Sequence, residues 1–243
     1  MPEQLWFTAF LNHILASPVT AALRAIHIEP EFSQAPITNG VSMELLVFSF
    51  LVLLFLIARA GLSVEKPGAL QHVFEGLNGF VDHQSEEMMG HGVESFTPFL
   101  VVLMLFILIS NLIGLIPGFE SPTALAVVPL GCAIVAFVYY QAQGFKHHGI
   151  AYLKHFMGPM WWLAIIMIPI EIISHLARML SLTIRLYANM YAGDMVTLVF
   201  MSLVPVGVPV VFLLLHVGVS LLQAYIFVLL TTVYLAGAVA EEH

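Results

Sequence analysis

The sequence predicts an all-α membrane protein with about five transmembrane helices plus a surface amphipathic helix, the last two spans being long and steeply tilted as a hairpin. Three observations predict it. The 243 residues are 60% hydrophobic and only 9% charged, with a mean hydropathy of +0.97; about a quarter of the residues of a soluble domain are charged. The apolar runs are long and continuous, whereas a transmembrane β-barrel alternates over segments of about ten residues. Finally, Arg185 stands inside a stretch that runs apolar from about Pro159 to Val204. Arginine cannot shed its proton at physiological pH. A fixed charge at membrane depth costs roughly 3 to more than 10 kcal/mol depending on the reference. It is kept where a partner or a water-lined path compensates it, so Arg185 reads as functional.

The elements follow in order. Residues 1–43 form a mixed N-terminal outer segment, a short amphipathic opening followed by a Pro/Asn/Gly-containing stretch around Pro30 to Gly40. No basic segment precedes a short apolar core, so no cleavable signal pattern is expected and insertion relies on the later helices. The first span is Leu45 to about Leu62, close to the ~17-residue lower limit for crossing a bilayer, and Lys66-Pro67-Gly68 ends it. In residues 68–94, Leu70, Val73, Phe74, Leu77, Phe80 and Val81 recur at helical spacing against Gln71, His72, Glu75, Asn78 and Asp82. This pattern suits a helix on the membrane surface or against a partner. The Asp82–Glu94 acids read as its solvated face. A second span runs Phe96 to Ile116, stopped by Pro117-Gly118, and a third runs Thr123 to Gln143 before a polar loop with Lys146, His147, His148 and Lys154.

The segment 159–240 reads as two steeply tilted helices forming a hairpin. Pro159 to Met201 has no strong break apart from Pro169. At ~1.5 Å per residue it is roughly 63 Å long, about twice the ~30 Å hydrocarbon thickness. With no Gly or Pro between Ile170 and Ala192, a turn that would split it has little support. Pro209 to Ala240 follows a turn at Pro205, Gly207 and Pro209 and is roughly 48 Å long by the same rise. Basic residues orient the bundle. Arg59, Lys66, Lys146 and Lys154 put the loops after the first and third spans inside. The N-terminal segment, with only Arg24, and the loop at Glu120 fall outside, and Glu241-Glu242-His243 returns inside.

The polar residues of the long helix share one face. Glu171, His175, Arg178, Ser181, Arg185 and Asn189 are spaced by 4, 3, 3, 4 and 4 residues, a stripe along one side of a helix. Asp194 comes nine residues after Arg185 and lies about 180° round. Along the axis Glu171 is roughly 21 Å to the inner side of Arg185 and Asp194 roughly 13 Å to the outer side. The 180° offset and the four-turn separation both argue against a structural ion pair for Arg185. In the last helix, His216 lies about as far after the turn as Asp194 lies before it, so antiparallel packing makes the two a candidate acid–imidazole pair. Gln223, seven residues on, comes level with the Arg185 region. Asn111, late in the second span, approaches the outer side.

Each of these residues also has a plainer reading. Asn111 and Gln223 can serve as interhelical hydrogen-bond glue, His175 and Arg178 can snorkel at the inner interface, and Glu171 can pair with a nearby base. Cys132, alone in the chain, excludes an internal disulfide and reads as a small packing residue. The net charge of −8 argues against a nucleic-acid surface. His147-His148 has no third ligand at useful spacing for a metal, and only His175 and His216 lie mid-span, too few for a haem-bearing cytochrome b. No phosphate-cradling glycine loop or nucleophile–base arrangement stands out, so no cofactor is expected.

Taken together, Pro169-Ile-Glu171-Ile-Ile-Ser174-His-Leu-Ala-Arg178 followed by Arg185-Leu-Tyr-Ala-Asn189-Met-Tyr-Ala-Gly-Asp194 resembles the signature of subunit a of F-type ATP synthases. His216 with Leu222-Gln223-Ala-Tyr-Ile-Phe, and the terminal Glu-Glu-His, resemble the final helix of bacterial members. Asn111-Leu-Ile-Gly-Leu-Ile-Pro117-Gly resembles that family's second-span ending. The resemblance covers about residues 40–243. It departs at Met179, where the family usually has Pro, and at Ala124-Leu-Ala-Val-Val-Pro129, where a polar start to the third span is usual. The position of Asp194 varies among relatives.

The resemblance implies a non-catalytic membrane subunit, without a nucleotide site, that couples proton flow to ATP synthesis. Its partners would be a rotating ring of c subunits, the b-subunit peripheral stalk and the other ATP synthase subunits, in a bacterial plasma (inner) membrane. It implies an outer half-channel with Asp194, His216 and Asn111, and an inner one with Glu171, His175, Ser181 and Asn189. Arg185 would stabilise the ionised carboxylate of the ring by charge proximity and block direct proton passage, with Gln223 helping to hold it. Two other classes stay open on the residues alone: a stand-alone ion channel or secondary transporter using Arg185 as an anion or gating site, and a membrane-anchoring assembly subunit. The inverted repeats that would favour a transporter are not seen, and the ionisable stripe argues against a mere anchor.

Overall fold

The computed structural model describes residues 4–25, 35–63, 67–90, 93–116, 118–149, 152, 164–203 and 207–239. The chain is all-α, and no strand occurs among these residues. Among the described residues the α-helices are, in order, α1 (Trp6–Ala25), α2 (Asn39–Ala60), α3 (Ala69–Met89), α4 (Thr97–Ile113), α5 (Val127–His148), α6 (Ala164–Leu203) and α7 (Val208–Val239). Helices α2, α5, α6 and α7 are long and apolar enough to cross a membrane, and α4 is a shorter apolar helix of 17 residues, at the lower limit for a span.

The bundle is built around α4 and α7. These two pack on each other, α5 packs on both α6 and α7, and α6 runs beside α7. The central core joins four helices through Leu103 and Ile107 of α4, Cys132, Ala133 and Ala136 of α5, Leu182, Leu186 and Met190 of α6, and Ala224 and Phe227 of α7. Small residues at this junction let the backbones approach closely, the usual source of helix association in lipid. A second cluster ties α2 and α3 to α4 through Val47, Leu51, Val81, Leu100 and Leu105. Helix α3 turns Phe74, Leu77 and Val81 to that cluster, while Leu70, Val73 and Phe80 of its apolar set stay exposed.

Several boundaries move from the sequence expectation, each for a physical reason. α2 begins at Asn39, six residues before Leu45. Its polar first turns are buried against α1, where Thr8 and Ser42 hydroxyls meet at 2.6 Å and Asn12 bonds both the N–H and the carbonyl of Ile37. α1 is itself a 20-residue helix in the segment read as mixed. α4 stops at Ile113 rather than Ile116. A Cβ on Gly114 would stand 2.7 Å from Ser121 Cβ and 2.9 Å from its backbone nitrogen, so the glycine admits the returning chain. That chain forms a 3-10 turn, Pro122–Ala124, with Pro122 and Thr123 buried, and α5 starts only at Val127. α5 continues to His148, its last turn carrying Lys146, His147 and His148, a favourable placement for cations against the helix dipole.

α6 is 40 residues, continuous through Pro169 and Arg185, about 60 Å at the helical rise. α7 is 32 residues. Gly207, with φ +89, opens α7 in a conformation that side chains rarely adopt. The expected features at Lys66, Pro117, Lys154, residues 159–163, Pro205 and residues 240–243 lie outside the described residues.

Candidate functional site

Helix α6 sets the geometry. Its packed face is Leu182, Leu186 and Met190, and the polar stripe runs along the edge of that face because 100° per residue places the two sets side by side. The stripe therefore has mixed surroundings. His175 is buried, Glu171, Arg178 and Arg185 are half-buried, and Ser181 and Asn189 are exposed. Only 11% of the most apolar stretch of α6 is covered by the rest of the chain, against 39% for α5. Most of the surface of α6 is thus left uncovered by the described residues.

Towards the C-terminal end of α6, His216 Nδ1 lies 3.7 Å from Asp194 Oδ1, the match in level that the hairpin argument expects. His216 is 4% exposed. Its ring presses on α6 at Gly193, where a Cβ would lie 3.0 Å from Cε1 and 3.1 Å from Nδ1. The glycine thus permits the approach. Among the described residues, His216 Nε2 is buried without a hydrogen-bond partner.

Asn111 is fully buried beside this region. Its Nδ2 donates to the Ser220 carbonyl at 3.3 Å, and its Oδ1 accepts from Thr123 Oγ1 at 2.6 Å. Ser121 pairs with Thr123 at 2.8 Å and donates to the Ser110 carbonyl at 2.9 Å. Sequence reasoning missed Ser121, Thr123 and Ser220. The hydroxyls in an otherwise apolar Ser121-Pro122-Thr123 stretch were the available signal.

Near the middle, Gln223 is buried and its Oε1 accepts from Asn189 Nδ2 at 3.0 Å. The expected hold on Arg185 therefore appears one turn further along, on Asn189. Among the described residues, Arg185 has no carboxylate within 4 Å and no hydrogen bond.

Towards the N-terminal end of α6, Glu171 Oε1 lies 3.3 Å from His175 Nε2, and Tyr140 Oη of α5 lies 2.9 Å from His175 Nδ1. Arg178 Cζ sits 5.3 Å from the centre of the Tyr234 ring, a cation–π contact. Beyond α5, Tyr152 donates to Gln141 Oε1 at 2.6 Å, and burial pushes its phenol above the ordinary value, so it stays protonated. Sequence reasoning missed Tyr140, which reads in sequence as an ordinary apolar-span aromatic.

This fold and site define a polytopic helical membrane protein that carries a stripe of polar and charged residues on a long, largely uncovered helix. The family profile described as ATP synthase A chain matches residues 41–236, and the chain belongs to that family. It is 59% identical over 244 residues to "ATP synthase subunit a" of Koribacter versatilis, covering all of both chains. It is 52% identical over 233 residues to the protein of the same name from Solibacter usitatus, covering 96% of this chain and 99% of the relative. To that of Geotalea uraniireducens it is 40% identical over 216 residues, covering 89% and 94%. Membership brings the role of an ATP synthase membrane subunit in ATP synthesis and proton transport, with other ATP synthase subunits as partners.

Proposed function

We propose that the chain provides two offset proton half-channels and presents Arg185 to a rotating ring of c subunits. The observation that carries this reading is Arg185 itself: half-buried, with no carboxylate within 4 Å among the described residues, and set between two acid–imidazole pairs at different levels of the same helix. A guanidinium at that depth needs a counter-charge, and the open face of α6 leaves room for one from outside. A ring carboxylate passing Arg185 would be stabilised in its ionised form by charge proximity. Since arginine cannot relay a proton, the same residue separates the two paths.

The outer path comprises Asp194, His216 and Asn111, and the inner path Glu171, His175, Ser181 and Asn189, with Gln223 bonded to Asn189 one turn from Arg185. His216 Nε2 is the open end of the outer pair. The steep tilt of the hairpin, the outer position of residues 1–43, the surface position of residues 68–94, the b-subunit stalk as a partner and the bacterial plasma membrane as host belong to the same reading. The chain itself is non-catalytic. Each proton driven by the membrane potential supplies ~2.3 kcal/mol per 100 mV, so several are needed per ATP.

The test is ATP-driven acidification of inverted membrane vesicles with Arg185→Gln at equal assembly. Loss of pumping with the complex intact is the expected result. Pumping at the normal rate would return Arg185 to the status of a structural charge.

A further inference from the structure

Tyr140 has no place in the paths above, yet it is buried against His175 and bonded to it. It projects from α5, is 3% exposed, and meets His175 Nδ1 at 2.9 Å. The two rings stack with centres 5.9 Å apart and planes at 29°, and Phe137 closes edge-on against both. The other charged and titratable groups acting on Tyr140 among the described residues are Glu171 and Arg178 on α6, Tyr152 beyond α5, and Tyr234 on α7.

A neutral imidazole has one donor and one acceptor nitrogen. Nε2 stands 3.3 Å from the Glu171 carboxylate, which only accepts when ionised. The consistent assignment puts the ring hydrogen on Nε2 and leaves Nδ1 to accept from the Tyr140 hydroxyl. The group on the far nitrogen then sets both tautomer and ring angle, the way outer partners of a working histidine commonly act. Both nitrogens of His175 are thus engaged, and from two different helices.

We infer that Tyr140 is a positioning residue of the inner proton path: its hydroxyl fixes His175 so that Nε2–H faces Glu171. This rests on the reading of Glu171 and His175 as path residues. A packing role for Tyr140 needs only the ring, which phenylalanine keeps. A positioning role needs the hydroxyl.

The experiment measures ATP-driven pumping by the intact complex in inverted vesicles, per assembled complex. The variants are Tyr140→Phe, 4-aminophenylalanine at position 140, His175→Ala, Glu171→Gln, and Tyr140→Phe combined with His175→Ala. Loss of one hydrogen bond predicts a fall of about five- to tenfold for Tyr140→Phe. The amino analogue, which restores a donor at the same place, recovers most of the rate, and Tyr140→Phe costs nothing further once His175 is alanine. A full rate for Tyr140→Phe, or the same fall in both backgrounds, overturns the inference while leaving the inner path intact. Full rates for both Glu171→Gln and His175→Ala overturn the inner path itself and the inference with it. If Tyr140→Phe does not assemble, the amino analogue against wild type carries the comparison: an unrecovered rate in an assembled complex is the overturning result.

Discussion

The two acid–imidazole pairs of α6 are built differently. The inner pair, Glu171 and His175, lies four residues apart on one helix, and the second ring nitrogen is engaged by Tyr140 from α5. The outer pair joins Asp194 of α6 to His216 of α7 at 3.7 Å, and the second nitrogen is buried without a partner among the described residues. The inner pair is therefore fixed by the helical repeat, and the outer by the register of the hairpin. The inner ring is held at both nitrogens, while the outer ring is held by shape, wedged against Gly193. One ring has a hydrogen bond from a second helix beside its carboxylate and the other has only its carboxylate and close packing, so they should fail in different ways.

The largest expected effect separates the acids. If both pairs carry protons, Asp194→Asn and Glu171→Gln each lower ATP-driven pumping, by on the order of 10²-fold where the carboxylate acts directly in proton transfer. Equal pumping by Asp194→Asn and wild type would remove the outer pair from the path. Next comes Gly193→Val. The new side chain meets the His216 ring, overpacking of this kind costs about 1–3 kcal/mol, and pumping falls with the thermal midpoint of the purified complex.

Third, Thr123→Val leaves Asn111 Oδ1 without its 2.6 Å donor. An unsatisfied buried acceptor costs about 1–3 kcal/mol, read as a lower thermal midpoint, with a smaller effect on pumping than Asp194→Asn. The smallest effect is Arg178→Gln, which removes the cation–π contact with Tyr234 and should cost about 0.5–1 kcal/mol. A drop in pumping as large as that of Glu171→Gln would instead put Arg178 among the inner path residues.

Much of this was legible in the sequence, in the places where a periodic signal exists. The continuity of α6 followed from the absence of a breaker between Ile170 and Ala192, and the Asp194–His216 level from counting outward from the turn. What stayed hidden depends on contacts between distant segments. Hydropathy passes over Asn39 to Ser42 as polar, though Thr8 and Asn12 bury and satisfy that region. The return of Ser121-Pro122-Thr123 into the bundle depends on space left by Gly114, which no local pattern announces. Tyr140 sits amid Phe137, Val138 and Tyr139 with nothing in its spacing to mark the hydroxyl that finds His175.

The uncovered face of α6 also bears on how the protein is made. A chain inserted before its neighbour arrives would hold Arg185 against lipid, at a cost of several kcal/mol, with little of the helix buried to offset it. Such a chain is an unfinished product, and membrane proteases that sample exposed polar segments would meet it first. Its cellular abundance should follow the supply of whatever covers α6.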